Sequence, residues 1–432
     1  MVPDNESVTP RRAPHAPRGV SGAIAVPPSK SLTQRALVAA ARAGAPSRVL
    51  RPLDAEDPRL LAAALTAAGF RLHWNDDEIV ASGRGEVIGA ELFLGNNGTG
   101  ARFLLAQLAS LPGEWRLDGT PRLRERPFGA LVRALAGLGA DIRPVSAGPL
   151  RLPLLVRGGA LDGGRVHLDP SASSQFVSAL LLLAPWLREG LEVVLDAAPP
   201  SRPYLDLTTE VLEAFGGRCE SRERGRVLYV APGGLHPATF AVEGDWSAAA
   251  FPLAAAAVAG GEVEVLGLRL DSRQGDAAMA GLLVEAGCRV QATEGGVALA
   301  GPATRPLVAD LTDTPDLFPA LAVVVAVLGG RLTGLAGLVA KESDRLAVMT
   351  AHLGALGLRA TADDATFASP GGLAGAAAPG TALEPADDHR VAMALAVAGT
   401  IVPGVEVANP GCVAKSWPGF WSAWDELVVG RS

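Results

Sequence analysis

A five-residue pattern, Leu-x-x-x-Gly, closes a helix-like stretch at near-constant intervals along the 432-residue chain. It appears as LTAAG, LAGLG, LEAFG, LVEAG and LGALG. The closing glycines Gly69, Gly139, Gly216, Gly287 and Gly357 stand 70, 77, 71 and 70 residues apart. A looser sixth stretch, FWSAWDELVVG, ends on Gly430, 73 residues further on. Glycine after the last apolar position stops a helix because it alone takes the left-handed conformation cheaply. A regular spacing of such stops marks a repeated supersecondary unit. β-favouring residues follow several of them, as in FRL, ADIR and CRV.

A second helix-like stretch precedes each of these and opens on small polar residues: PSKSLTQRALVAAA, GNNGTGARFLLAQLA, PSASSQFVSALLLLA, GDWSAAAFPLAAAAV, TPDLFPALAVVVAV and ADDHRVAMALAVAG. The chain therefore reads as six strand–helix–strand–helix–strand units, an α/β class that divides into two domains of three. With 49% hydrophobic residues, two cores can be filled. A net charge of −7 argues against a nucleic-acid surface. The longest apolar run, 317–330, has core rather than membrane-spanning length. Cys219, Cys288 and Cys412 are too few and too scattered for a disulfide framework or a zinc site. The opening MVPDNESVTPRRAPHAPRGV has no apolar signal segment, and residues 1–18 read as a disordered tail. A cytoplasmic enzyme without metal or cofactor is expected, with no membrane or nucleic-acid partner.

The first turn of a helix has free N–H groups and a partial positive charge, so a phosphate or carboxylate settles there. Six polar openings in register with a repeat, joined by the second-helix starts RERP, SRPY, KESDR and KSWP, describe an anion-binding protein. Of 38 basic residues all but Lys30, Lys341 and Lys415 are arginine. All three lysines sit at helix starts, where a compact ammonium meets a small ligand differently from a guanidinium. Asp316, just ahead of an apolar helix, reads as a desolvated base with a raised pKa. The stretch DGTPRLRERP offers Arg122, Arg124 and Arg126, and GNNGTGAR adds Arg102.

The stretches PSKSLTQRALVAA, LGNNGTGAR, DGTPRLRERP, SASSQFVSALLLLAP, SRPYLDLT, VEGDWSAAAF, TPDLFPALAV, KESDRLAVM, DDHRVAMALAVAG and AKSWPGF resemble, in order, the 5-enolpyruvylshikimate-3-phosphate synthases. The resemblance runs from about residue 22 to 427. It implies a two-domain inverse α/β barrel-like fold, each domain three βαβαββ repeats. It assigns residues 1–28 and 243–432 to one domain and 29–242 to the other, with hinges near 28–30 and 242–245. It implies transfer of the enolpyruvyl group of phosphoenolpyruvate to the 5-hydroxyl of shikimate 3-phosphate by a monomer that glyphosate inhibits. Lys30, Ser31, Arg35, Ser173, Ser174, Gln175, Ser201, Tyr204, Asp316 and Lys341 are then expected on shikimate 3-phosphate. Lys30, Gly98, Arg122, Gln175, Arg345, His389, Arg390 and Lys415 are expected on phosphoenolpyruvate. Asp316, Glu342 and Lys30 are the implied proton-transfer groups. The alternative within the same chemistry is an acceptor such as UDP-N-acetylglucosamine. Three positions depart from the family pattern: Gly337 stands where Asn is usual, Asn97 where the glycine loop has Ala, and Phe103 where many members have Pro. Extra bulk at Asn97 is expected to tighten the phosphoenolpyruvate pocket.

Overall fold

The computed structural model describes residues 9–44, 46–171 and 173–429. They form two compact units, 28–243 and 1–27 with 244–432.

The 28–243 unit contains three four-stranded sheets of one design. In each, two strands run parallel, and a hairpin returns antiparallel to the second. The first sheet joins Thr239–Ala241 to Ser47–Leu50, Glu78–Arg84 and Phe70–Trp74. The second orders Gly89–Phe93, Gly113–Asp118, Leu154–Gly158 and Asp141–Pro144. The third orders Gly164–Leu168, Leu191–Leu195, Val227–Val230 and Cys219–Arg222. The strands alternate: Leu191, Val193 and Leu195 are buried and the residues between them are half-buried. Gly98–Ala109 and Ser174–Leu183 lie in sequence between the two parallel strands of their sheets, Lys30–Ala43 comes just before Ser47–Leu50, and the three helices pack on one another inside. Gly98–Ala109 is buried at all but one position, and its interior face includes the polar side chains of Arg102 and Gln107.

The other unit repeats the design twice in full. Gly22–Ala25, Gly261–Leu266, Gly296–Gly301 and Arg289–Ala292 form one sheet. Leu307–Asp310, Gly330–Thr333, Phe367–Ser369 and Thr361–Ala362 form the next. Trp246–Ala259, Phe318–Leu328 and His389–Ile401 are its interior helices. The third repeat is reduced: Glu406–Val407 has Leu383 parallel on one side and Arg11–Arg12 antiparallel on the other. The expected repeats are thus present as separate four-stranded sheets, five whole and one shortened.

The disordered tail expected over residues 1–18 is corrected for its second half. Arg11 pairs with Val407, Ala13 N–H donates to Val405 O at 2.9 Å, and Ala13 and Ala16 are buried. Arg11 also bonds Asp425 and lies over the Trp421 ring. The segment supplies the strand that the last repeat lacks, so its backbone bonds are satisfied by sheet pairing. Residues 1–8 lie outside the described residues, as does Gly430.

The five repeat glycines Gly69, Gly139, Gly216, Gly287 and Gly357 have φ of 97°, 98°, 79°, 108° and 73°, the left-handed values for which they were read as helix stops.

Candidate active site

Two polar clusters form where interior helices begin, one in each unit.

In the 28–243 unit each interior helix has a side-chain cap. Ser29 accepts from Leu32 N–H, Asn97 from Gly100 N–H at 2.7 Å, and Ser173 from Gln175 N–H at 3.2 Å. Lys30 Nζ donates to Asp57 Oδ2 at 3.1 Å. Asn97 is wholly buried and turned inward: its Nδ2 donates to Gln34 Oε1 at 2.8 Å and to Asp57 O at 2.7 Å. The extra bulk at Asn97 therefore does not fill the outer face of the glycine loop but fastens the loop to two neighbouring elements. Gly100 makes room for it, because a Cβ there would overlap Asn97 Nδ2.

Arg126 rather than Arg122 lies against that loop. A methyl group on Gly98 would stand 2.7 Å from the Arg126 guanidinium carbon. The helix Pro121–Glu125 ends one residue earlier, and Arg126 is extended at φ −71°, ψ 147°. Arg122, expected on phosphoenolpyruvate, pairs with Glu125 at 2.8 Å on the exposed side of that turn. Arg102 bonds Gln175 and donates to Pro127 O at 3.1 Å, between the rings of Phe128 and Phe176. Phe103, the other departure, is buried and lies under the Arg35 guanidinium.

Arg35 is 1% exposed. It donates to Thr208 Oγ1 at 2.8 Å, Ser31 O at 2.9 Å, Tyr204 O at 3.1 Å and Ser178 Oγ at 3.3 Å. Among the described residues no carboxylate neutralises it, and burial lowers its pKa to about 10. It ties the starts of three helices together and leaves a positive field for an anion. Ser201, at the start of Pro203–Ala214, is held at φ 56°, a conformation that costs a serine roughly 1 kcal/mol or more. Ser174 is buried beside its cap Ser173.

In the other unit the centre is Asp316. Arg345 Nη1 donates to its Oδ1 at 2.7 Å, Arg390 Nη2 to its Oδ2 at 3.2 Å, and Lys341 Nζ lies 3.6 Å from Oδ1. Arg345 also reaches Glu342 Oε2 at 2.8 Å and Asp388 Oδ2 at 2.8 Å. Asp388 caps His389–Ile401 by accepting from Arg390 N–H at 3.0 Å, and it receives Ser343 Oγ at 3.0 Å. Ala386 and Asp387 before it are both left-handed, at φ 56° and 54°, which aims the cap inward. His389, expected on phosphoenolpyruvate, is wholly buried with Nδ1 3.8 Å from Asp388 Oδ1, so it supports this helix start from within. Lys415 is 6% exposed at the end of Pro410–Lys415.

The raised pKa read for Asp316 is corrected. Burial does push it up, but Arg390, Lys341 and Arg345 outweigh burial and hold it well below the usual carboxylate range. Asp57, Gln34 and Asp388 were not read from the sequence as site residues. Asp388 was visible inside DDHR as a helix cap; Gln34 lay unremarked within PSKSLTQRALVAAA, and Asp57 carried no local signal.

Buried helix starts, fixed cations and an ionised carboxylate, present on units of α/β repeats, are the features of an enzyme class that works on small anions. The chain belongs to the EPSP synthase (3-phosphoshikimate 1-carboxyvinyltransferase) family, whose sequence pattern matches residues 14–424. A 3-phosphoshikimate 1-carboxyvinyltransferase of Methanoculleus marisnigri is 39% identical over 94% of this chain and 96% of its own length. That of Syntrophobacter fumaroxidans is 39% identical over 95% and 97%. The EPSP synthase of Acinetobacter baumannii superposes with a TM-score of 0.77 at 25% identity, covering 96% of this chain and 97% of that one.

Proposed function

We propose that the chain transfers the enolpyruvyl group of phosphoenolpyruvate to the 5-hydroxyl of shikimate 3-phosphate and releases phosphate. The observation that carries this reading is Asp316 held ionised among Arg345, Arg390 and Lys341. An ionised carboxylate is ready to accept the hydroxyl proton, and the three cations are matched to substrate anions. As phosphate and carboxylate groups claim those cations, Asp316 loses the field that keeps its affinity for protons low.

Asp316 takes the 5-hydroxyl proton while the oxygen bonds to C2 of phosphoenolpyruvate. Glu342 gives a proton to the methylene carbon, with Lys30 assisting. The tetrahedral adduct then returns a proton from the new methyl group to Glu342 and expels phosphate, which takes the proton held by Asp316. Arg126 and Gly98, with Arg345, Arg390 and Lys415, hold phosphoenolpyruvate. Ser173, Ser174, Gln175, Ser201 and Tyr204, with Arg35 behind them, hold shikimate 3-phosphate. Fixed cations supply the electrostatic stabilisation. We read the working form as a cytoplasmic monomer. Among the described residues no helix is long and apolar enough to cross a membrane.

The test is phosphate release from the purified protein with this substrate pair. Release is expected, and Asp316→Ala should lower kcat by about 10²–10⁴. No release with shikimate 3-phosphate, but release with UDP-N-acetylglucosamine, would overturn the acceptor assignment.

A further inference from the structure

The VEGDWSAAAF stretch has no role in the reaction as described, yet its Ser247 meets a buried carboxylate. Asp276, in the short turn Gly275–Ala277, is 3% exposed. Its Oδ2 accepts from Ser247 Oγ, in the first turn of Trp246–Ala259. Its Oδ1 is buried and meets no donor among the described residues. Gln274 holds the turn in place: its Oε1 accepts from Trp246 N–H at 3.2 Å and its Nε2 donates to Gly244 O at 2.7 Å. A buried, half-satisfied carboxyl costs stability, so its presence asks for a purpose. The Gly275–Ala277 turn and the Pro315–Leu317 turn that carries Asp316 both pack on Trp246–Ala259, which also lies against Phe318–Leu328 and His389–Ile401. The charges that reach Asp276 there are Asp316, Arg390 at the start of His389–Ile401, and Asp245, which caps Trp246–Ala259. Around Asp316 itself stand Lys341, Arg345 and Glu342.

We propose that Asp276, held by Ser247, is a positioning residue that sets the basicity of Asp316 through the charges gathered at these packed helix starts, Arg390 among them. The inference rests on the reading of Asp316 as the proton acceptor. An ionised Asp276 repels the charge on Asp316 and draws on Arg390, and both effects favour proton uptake by Asp316. A protonated Asp276 does neither. Burial, with Asp316 adding to it, pushes Asp276 up to about 7 against the pull of Arg390 and Ser247, so the two states exchange near neutrality.

Two variants test this. In the wild type, kcat should rise with pH through neutrality as Asp276 ionises. In Asp276→Asn that limb should vanish and kcat should fall by about tenfold, with KM for both substrates little changed. In Ser247→Ala, which removes the hydrogen bond favouring the ionised form, the limb should move to higher pH. A near-neutral limb that persists in Asp276→Asn, or one unmoved in Ser247→Ala, overturns the proposal. Should Asp276→Asn fail to fold, Ser247→Ala decides. Carboxyl-carbon NMR of aspartate-labelled protein without substrate gives a readout independent of activity. One resonance should titrate near neutrality, disappear in Asp276→Asn and shift upward in Ser247→Ala. Its absence sinks the inference even where turnover is found. Its presence with no turnover sinks the substrate assignment alone.

Discussion

Arg345 Nη1 stands 2.7 Å from Oδ1 of Asp316, and the same guanidinium reaches Asp388 at 2.8 Å and Glu342 at 2.8 Å. One buried cation thus joins the proposed base, the proposed acid and a helix cap. Replacing it with methionine leaves Asp388, wholly buried, without its main counter-charge. The expected loss of folding stability is about 3–5 kcal/mol, read by urea denaturation. Arg345→Lys should restore little of it, because an ammonium cannot reach three carboxylates at once. Equal stability of the lysine variant and the wild type would refute this.

Gly98→Ala should act on phosphoenolpyruvate alone. The added methyl would sit 2.7 Å from the Arg126 guanidinium carbon, so the arginine must shift. KM for phosphoenolpyruvate should rise by about tenfold or more while the affinity for shikimate 3-phosphate, measured calorimetrically, stays within about twofold. The effect should largely vanish in an Arg126→Ala background, and additive losses there would count against it.

Asn97 and Gly100 should behave as one unit. Asn97→Ala removes a cap and two further hydrogen bonds and is expected to cost about 1–3 kcal/mol. Gly100→Ala alone forces its methyl into Asn97. The pair of changes together should cost less than the sum of the two, with a coupling energy on the order of 1 kcal/mol by thermal denaturation.

Stability should respond to pH in opposite senses at two aspartates. Asp316 is held low, so its contribution is present above the unfolded carboxylate range and is lost as pH falls through the folded value. Asp276 is raised to about 7, so its folded form is favoured at low pH and that advantage is lost as pH rises through neutrality. The Tm of Asp276→Asn relative to wild type should therefore climb between about pH 4 and 7 and level off above. A flat difference across that range would show that Asp276 does not hold a proton in the folded state.

The repeat and the helix starts were legible because their causes are local. A left-handed glycine at Gly287 and a capping oxygen at Ser173 or Asp388 are demanded by the residues next to them. What escaped is non-local. PDLFPALAVVV announces desolvation at Asp316, but the cations that reverse its effect stand 29 and 74 residues away, at Arg345 and Arg390. Arg122 and Arg126 look alike as letters, and only the end of the helix at Glu125 decides which one turns toward Gly98. The Arg11–Arg12 strand has no alternation to betray it; its pairing is set by Val405 and Val407 at the far end of the chain.

Each unit draws a sheet strand from a distant part of the chain: Gly22–Ala25 joins Gly261–Leu266, and Thr239–Ala241 joins Ser47–Leu50. On the ribosome, then, no nascent chain shorter than about 241 residues can close either unit. At roughly 5–20 residues per second, that leaves open sheet edges exposed for about 10–50 s of translation. The pairing that makes the finished enzyme also makes its synthesis a period of vulnerability to wrong pairing at those edges.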